Sequence, residues 1–233
     1  MDDCIVSLRR VFASYEGERH AALHDVSLEV QVGEQVGIVG PNGAGKTTLL
    51  EVVNGLLPFL SGAVEVHGEP LTPRSHRLRS RIGYVPQEAT FPADTPFLVS
   101  DVVLAARFGL LSRFRWPTAR DRAAARSALT AIGIADLSGR PVWRLSGVQQ
   151  RKVLIARALA QQASLLLLDE PTANLDPESK LEVAELVEAV RRNLGATALV
   201  VSHEDGALLQ RADRIVTIVD GRVAASRTEI GGS

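Results

Sequence analysis

Gly40-Pro41-Asn42-Gly43-Ala44-Gly45-Lys46-Thr47-Thr48 follows the apolar run Gln35–Val39 and leads into the helix-like run Leu49–Asn54. The spacing is G-x-x-x-x-G-K-[ST], and it stands in the strand–loop–helix setting that gives this pattern its meaning. Glycines let the backbone bend until successive N–H groups point at phosphate oxygens. The N-terminus of the following helix adds partial positive charge. Lys46 is placed to reach the β- and γ-phosphates, and Thr47 to offer its hydroxyl to magnesium. Gly40, Asn42, Gly43, Ala44, Gly45 and Thr48 complete the expected cradle. The stretch implies a nucleoside triphosphate with Mg2+ as ligand.

Outward from the loop, four short aliphatic runs read as buried parallel strands: Val36–Val39, Leu165–Leu168, Ala198–Val201 and Ile215–Val219. Near-continuous apolar runs of this length suit strands covered on both faces. Helical segments lie between them, so the expected class is α/β with a parallel sheet. Residues 4–9, 26–31 and 63–67 alternate more and are punctuated by Gly33, Gly62 and Gly68. They fit an antiparallel side sheet. Residues 98–163 are alanine-rich and helix-periodic, and read as a helical subdomain inserted into a single domain spanning 1–233. Residues 177–194 form the clearest helix, with Asp176 as N-cap, Pro177 in the first turn and Gly195 as the stop. Leu181, Val183, Leu186, Val187, Val190 and Leu194 mark most of its expected apolar face.

The totals narrow the classes. The chain has 233 residues, 45% hydrophobic composition and a net charge of −1. That balance gives no electrostatic case for a nucleic-acid partner. One cysteine, Cys4, excludes an internal disulfide framework and suits a reducing compartment. The N-terminus lacks the apolar core of a secretory signal. A spanning helix needs roughly 20 mostly apolar residues, and the sequence has no such run. A soluble chain is expected, free to dock on a membrane-bound partner.

Leu165-Leu166-Leu167-Leu168-Asp169-Glu170-Pro171 is an apolar strand ending in two carboxylates. In parallel α/β sheets ligands gather at the carboxyl ends of strands. Asp169 is therefore expected near the magnesium of the phosphate loop. Glu170 could orient and deprotonate an attacking water. An acidic pair in this place could also cap a helix, and the phosphate loop in the same chain favours the catalytic alternative.

Two further motifs carry a resemblance. Leu145-Ser146-Gly147-Val148-Gln149-Gln150-Arg151 lies just before the helical run Lys152–Gln161. It resembles the signature of ABC-type ATPases, whose usual form is LSGGQ. Gln87 in Tyr84-Val85-Pro86-Gln87 resembles the family's glutamine loop. Asn174-Leu175-Asp176 resembles the loop after the acidic strand, His203 the switch histidine, and Tyr15 the aromatic that stacks on adenine. The resemblance covers essentially the whole chain in the correct order. It implies a P-loop NTPase core that binds and hydrolyses ATP. It also implies a head-to-tail homodimer with two nucleotides between the subunits. Ser146, Gly147 and Gln149 would then face the partner's γ-phosphate. Gln87 would reach magnesium and the attacking water, and His203 would contact the γ-phosphate and position Glu170.

The family's second signature glycine is Val148 here. A positive φ there would strain a β-branched residue. In the first turn of a helix φ is negative and valine is tolerated. Ser146 is a good N-cap, so the second case is expected, with the valine side chain at the dimer seam.

The stretch Phe97–Gly109, with Arg115-Trp116-Pro117 and Asp121-Arg122, resembles zinc and manganese importer ATPases, and iron-chelate and cobalamin importers share much of it. The implied setting is cytoplasmic and peripheral, on the inner face of the cell membrane. The implied partners are integral membrane permease subunits and a separate solute-binding protein. An ABC ATPase driving lipid or lipoprotein handling, or a cell-division complex, is the alternative. Phe91, Phe97, Phe108, Phe114 and Trp116 either dock a partner or fill the local core. Residues 74–126 carry ten arginines and four acids, which either face lipid headgroups or form a solvated surface.

Overall fold

The computed structural model describes residues 4–17, 21–87, 91–92, 94–110, 116–202 and 206–228. The first elements in chain order are β1 (Cys4–Ala13), β2 (Leu23–Gln31), β3 (Gln35–Val39), α1 (Lys46–Asn54), β4 (Phe59–Val66) and β5 (Glu69–Pro70). Then come α2 (His76–Arg79), β6 (Ile82–Val85), α3 (Val99–Ala105), α4 (Ala119–Ala131) and α5 (Gly147–Gln161). The last are β7 (Leu165–Asp169), α6 (Pro177–Leu194), β8 (Thr197–Val201), β9 (Arg214–Val219) and β10 (Arg222–Thr228).

The main sheet runs β10-β9-β3-β8-β7-β6. Five strands are parallel, and β10 closes one edge antiparallel to β9. Every residue of β3, β7 and β8 is buried. Successive side chains of a strand point to opposite faces. Leu165, Leu167, Leu199 and Val201 therefore join a core with the side sheet and α1. Leu166, Leu168, Ala198 and Val200 join a second core with residues of α3, α4, α5 and α6. Two covered faces are the reason these strands read as unbroken apolar runs.

The side sheet, β2-β1-β4-β5, is antiparallel throughout. β2 buries Val26, Leu28 and Val30 and exposes the residues between them, the pattern of a sheet covered on one face. Residues 98–163 contain α3, α4 and α5. Asp121 ties them together: it accepts from the Thr118 backbone N–H at 2.9 Å and from Arg107 Nε at 3.1 Å. The same arginine donates to the Ala160 carbonyl at 2.9 Å. α5 also packs on the main sheet, where a Cβ on Gly83 would lie 2.8 Å from that of Ala158. The helices and one sheet face thus share one core.

α6 has the bounds its caps predict. Asp176 accepts from the Ser179 N–H, Pro177 opens the helix, and Gly195 ends it at φ 59°. Its buried face differs from the expectation. Leu181 is 51% exposed, and Glu188 is buried between Val187 and Val190, where it pairs with Arg191 and Arg192. Leu181 precedes Val183 by two residues, about 200° around the helix, so both cannot face the sheet.

Candidate functional site

Three of the expected site segments follow the carboxyl ends of parallel strands of the main sheet, β6 and β7 side by side and β3 one strand beyond, across β8. The phosphate loop follows β3, Gln87 follows β6, and Asp169 ends β7 with Glu170 directly after it. His203 follows β8 in sequence and lies outside the described residues. This clustering is what a parallel sheet imposes on everything it carries at that end.

The loop is built by conformations that side chains resist. Gly40 has φ 150°, and a Cβ there would stand 2.0 Å from the Ile218 carbonyl oxygen. Gly45 has φ 97°, and its Cβ would meet the Ala22 oxygen at 2.6 Å. Both glycines are required by contact and by backbone angle. Gly45 is also the N-cap of α1 and brings no side-chain cap, so the first turn's N–H groups are left to the loop. Lys46 is buried, and its ammonium donates to the Gly40 and Pro41 carbonyls at 2.9 and 3.0 Å. Asn42 and Gly43 are exposed at the loop's crest, and Ala44 and Thr48 are buried beneath it. Tyr15 stands beside the helix: its hydroxyl donates to Glu51 Oε2 at 2.7 Å and lies 3.3 Å from Thr48 Oγ1.

Asp169 is almost fully buried, and its Oδ1 has no hydrogen-bond partner. Burial pushes its pKa up, opposed by the facing Thr47 hydroxyl and then, after the raising effects of Glu170 and Glu51, by Lys46. A buried, unsatisfied carboxylate oxygen is costly. It fits a divalent cation, and the oxygen donors Thr47, Asp169 and Gln87 with nucleotide phosphates are the kind of set Mg2+ takes.

Glu170 is 8% exposed and sits at φ 44°, a conformation uncommon outside glycine. Gln87, exposed at the rim, donates from Nε2 to Glu170 Oε2 at 3.2 Å. These residues are far apart in sequence and meet only through the pairing of β6 with β7. Arg151 joins the site only in the folded chain. Its guanidinium reaches the backbone of both loops, and a buried arginine inside a helix leaves no sequence pattern that separates it from a surface one.

The signature segment begins α5. Ser146 is the N-cap with φ −63° and ψ 160°, its Oγ accepts from the Gln149 N–H at 3.3 Å, and its backbone N–H donates in return to Gln149 Oε1 at 3.1 Å. This reciprocal pair satisfies two donors at the helix start. Val148 lies in the first helical turn and is absent from the residues with positive φ, so valine is unstrained. Its side chain is half-buried and packs on the helical core rather than standing free at the surface. Ser146 and Gly147 are exposed.

Residues 23–173 match the sequence profile of the family described as ABC transporter. The manganese transport system ATP-binding protein MntB of Bacillus subtilis is 38% identical over 199 residues, covering 85% of this chain and 77% of its own length. The zinc transport system ATP-binding protein TroB of Treponema pallidum is 37% identical over 212 residues, covering 89% and 78%. Among solved structures, the dimeric post-hydrolysis state of the ATP-binding cassette MJ0796, bound to ADP and Pi, superposes with a TM-score of 0.83. It is 27% identical, and the match covers 96% of this chain and 98% of that one. With the phosphate loop, the acidic strand end and the capped signature helix in place, the chain belongs to the ABC transporter family and is one of its ATP-hydrolysing cassettes.

Proposed function

We propose that the chain is the ATPase subunit of an importer for a divalent transition metal ion of the manganese or zinc class. The observation that carries this reading is the likeness, over more than four-fifths of the chain, to cassettes of manganese and zinc transport systems. Transport of radiolabelled Mn2+ and Zn2+ by vesicles holding the assembled transporter is the test. Uptake of neither ion, with ATP turnover intact, would remove the metal assignment.

In this reading ATP lies across the phosphate loop. Lys46 and the backbone N–H groups hold the β- and γ-phosphates, and Tyr15 offers its ring to the adenine. Thr47, Asp169 and Gln87 would hold Mg2+, which supplies charge neutralisation on the phosphates when bound. Glu170 accepts the proton of the attacking water while Gln87 orients it. Phosphoryl transfer rests mostly on positioning and charge stabilisation, and this array provides both. His203, outside the described residues, keeps its proposed contact with the γ-phosphate.

Two copies pair head to tail. A Cβ added at Gly147 would meet no atom within 4 Å, and its φ is not positive. The chain's own packing therefore does not demand glycine, whereas close approach by a nucleotide held on another subunit does. The first turn of α5, with Ser146, Gly147 and Gln149, presents the anion-binding end of a helix. Size-exclusion chromatography of the Glu170→Gln chain with MgATP is expected to give a dimer, and without nucleotide a monomer. A monomer in both would count against the pairing.

Val148→Gly is expected to change turnover by less than about tenfold, ~1.4 kcal/mol in barrier. It lowers stability instead, by about 0.3–0.5 kcal/mol from helix propensity, with the lost packing of the half-buried valine side chain on the helical core added to that. Steady-state phosphate release and a melting curve separate the two effects. A rise of several hundredfold would mean that valine suppresses catalysis.

A groove between α2, α3 and α5 gives the membrane partner a seat. His76, Arg77, Phe97, Ala105, Phe108 and Arg157 are among its lining residues. Phe97 is 54% exposed and Phe108 49% exposed, and Trp116 stands almost free of the chain at 85%. Phe91 instead packs on the helical core, while Phe114 lies outside the described residues. Exposed aromatics beside arginines suit a protein interface. No helix among the described residues is long and apolar enough to cross a membrane. In the proposed assembly, by likeness to the manganese and zinc transport cassettes, permease subunits hold the chain at the cytoplasmic face and a separate solute-binding protein delivers the ion.

A further inference from the structure

α5 lies along the outer edge of β6, the last strand of the main sheet. A strand edge leaves alternate carbonyls without a partner. Here side chains of α5 take that place. Gln161 Nε2 donates to the Ile82 carbonyl at 2.9 Å, and Arg157 Nη2 to the Tyr84 carbonyl at 3.1 Å. Arg151 Nη2 continues the series beyond the strand, to the Gln87 carbonyl at 3.0 Å.

Arg151 does more than close an edge. Its other terminal nitrogen, Nη1, donates to the carbonyls of Glu170 at 3.2 Å, Pro171 at 2.5 Å and Ala173 at 3.1 Å. One guanidinium, 6% exposed, thus gathers four backbone oxygens from two loops. The planar fork of arginine is suited to such a task, and the single ammonium of lysine is not. Burial lowers the pKa of this group, and the charge of Glu170 opposes the shift. A buried cation is costly unless its surroundings repay it, and here the repayment comes from the loop that carries the catalytic carboxylate.

We propose that Arg151 is a positioning residue for ATP hydrolysis, holding the Glu170–Ala173 turn and the Gln87 loop in the register that brings their side chains together. Glu170 sits in a left-handed conformation that an unconstrained glutamate would leave. Its carbonyl, with those of Pro171 and Ala173, turns toward Arg151. The same guanidinium anchors Gln87, whose amide is 3.2 Å from the Glu170 carboxylate. Removing the fork releases both ends of that contact. The inference rests on the role given to Glu170 above.

The test uses the full chain with Arg151→Met, which keeps length without donors, and Arg151→Lys, which keeps charge without the fork. Turnover, KM for MgATP, and amide hydrogen exchange of residues 170–174 are measured for each. Misplaced reacting groups cost about ten- to a hundredfold in rate. A loss of that size in kcat is expected for Arg151→Met, with KM within about threefold of the native chain. Exchange in residues 170–174 should rise while that of α1 stays unchanged. Arg151→Lys should fall between the two, and decides the matter if Arg151→Met does not fold. Native kcat in a folded variant would overturn the proposal. So would a fall in kcat accompanied by faster exchange throughout the chain, which marks a merely structural role. Glu170→Gln belongs in the same series. If that variant still hydrolyses ATP, the reading of Glu170 fails. If it is inactive while both Arg151 variants turn over normally, only the positioning role fails.

Discussion

Glu170→Gln is expected to bind MgATP as the native chain does and to release phosphate at least about a hundredfold more slowly. A positioned general base contributes roughly 10²–10⁴ in rate. The substitution removes the base and keeps the shape. The backbone of residue 170 stays fixed, because its N–H donates to the Val201 carbonyl at 2.9 Å and its carbonyl accepts from Arg151 at 3.2 Å. The amide can still meet Gln87, whose Nε2 lies 3.2 Å from Oε2 in the native chain, through its own carbonyl oxygen. The binding groups, Lys46 and the loop backbone, belong to a different strand end and are untouched. Nucleotide affinity by calorimetry and phosphate release by a coupled assay separate binding from chemistry. Native-like release would take the base role away from Glu170.

Much of the fold was legible, and particular residues show why. The interior strands β3, β7 and β8 are buried on both faces, so burial wrote itself into the sequence as Val36–Val39, Leu165–Leu168 and Ala198–Val201. The bounds of α6 followed from Asp176, Pro177 and Gly195, three residues whose preferences are steric and local. β6 and β10 leave little trace in the sequence. β6 carries Gly83, which closely approaches Ala158, and the half-buried Tyr84, so its four residues lack the unbroken aliphatic run that marks β3, β7 and β8. β10 is a mostly exposed edge with arginine at 222 and 227, and charge on an edge hides the apolar signal while guarding against aggregation. Glu188 was unreadable as a buried residue, because its burial depends on Arg191 and Arg192 folding over it.

The site divides in the same way. The phosphate loop is contiguous, so its spacing carries its chemistry. Asp169 and Glu170 end an apolar run, which gave their place though not their contacts. The meeting of Gln87 with Glu170 depends on strands pairing across the intervening helices, and only the family resemblance brought them together. Arg151 had no such help. Its partners are four carbonyl oxygens, and backbone atoms leave no trace in a sequence.

Lys46→Ala is expected to weaken MgATP binding by about ten- to a hundredfold. Hydrogen bonds to charged groups are worth about 1.5–3 kcal/mol each, and about 1.4 kcal/mol is a factor of ten. Lys46 is 7% exposed, and its ammonium is held by the Gly40 and Pro41 carbonyls. Those contacts hold the cation over the loop, so little side-chain freedom is lost when phosphate arrives. Alanine removes the cation and leaves the glycine conformations at Gly40 and Gly45 intact, since those are set by contacts with Ile218 and Ala22. The backbone N–H groups at the start of α1 therefore still face the phosphates, and residual binding comes from them. Pro41 is exposed, so water replaces the lost donor there and the melting temperature should change little. Lys46→Arg tests the shape of the site as well as its charge. A planar fork does not fit where one ammonium bridges two carbonyls 2.9 and 3.0 Å away, so arginine should recover only part of the affinity. Calorimetry on the three chains at one ionic strength checks the series. Equal affinities would mean that the backbone alone carries the phosphates and that the lysine serves only to hold the loop closed.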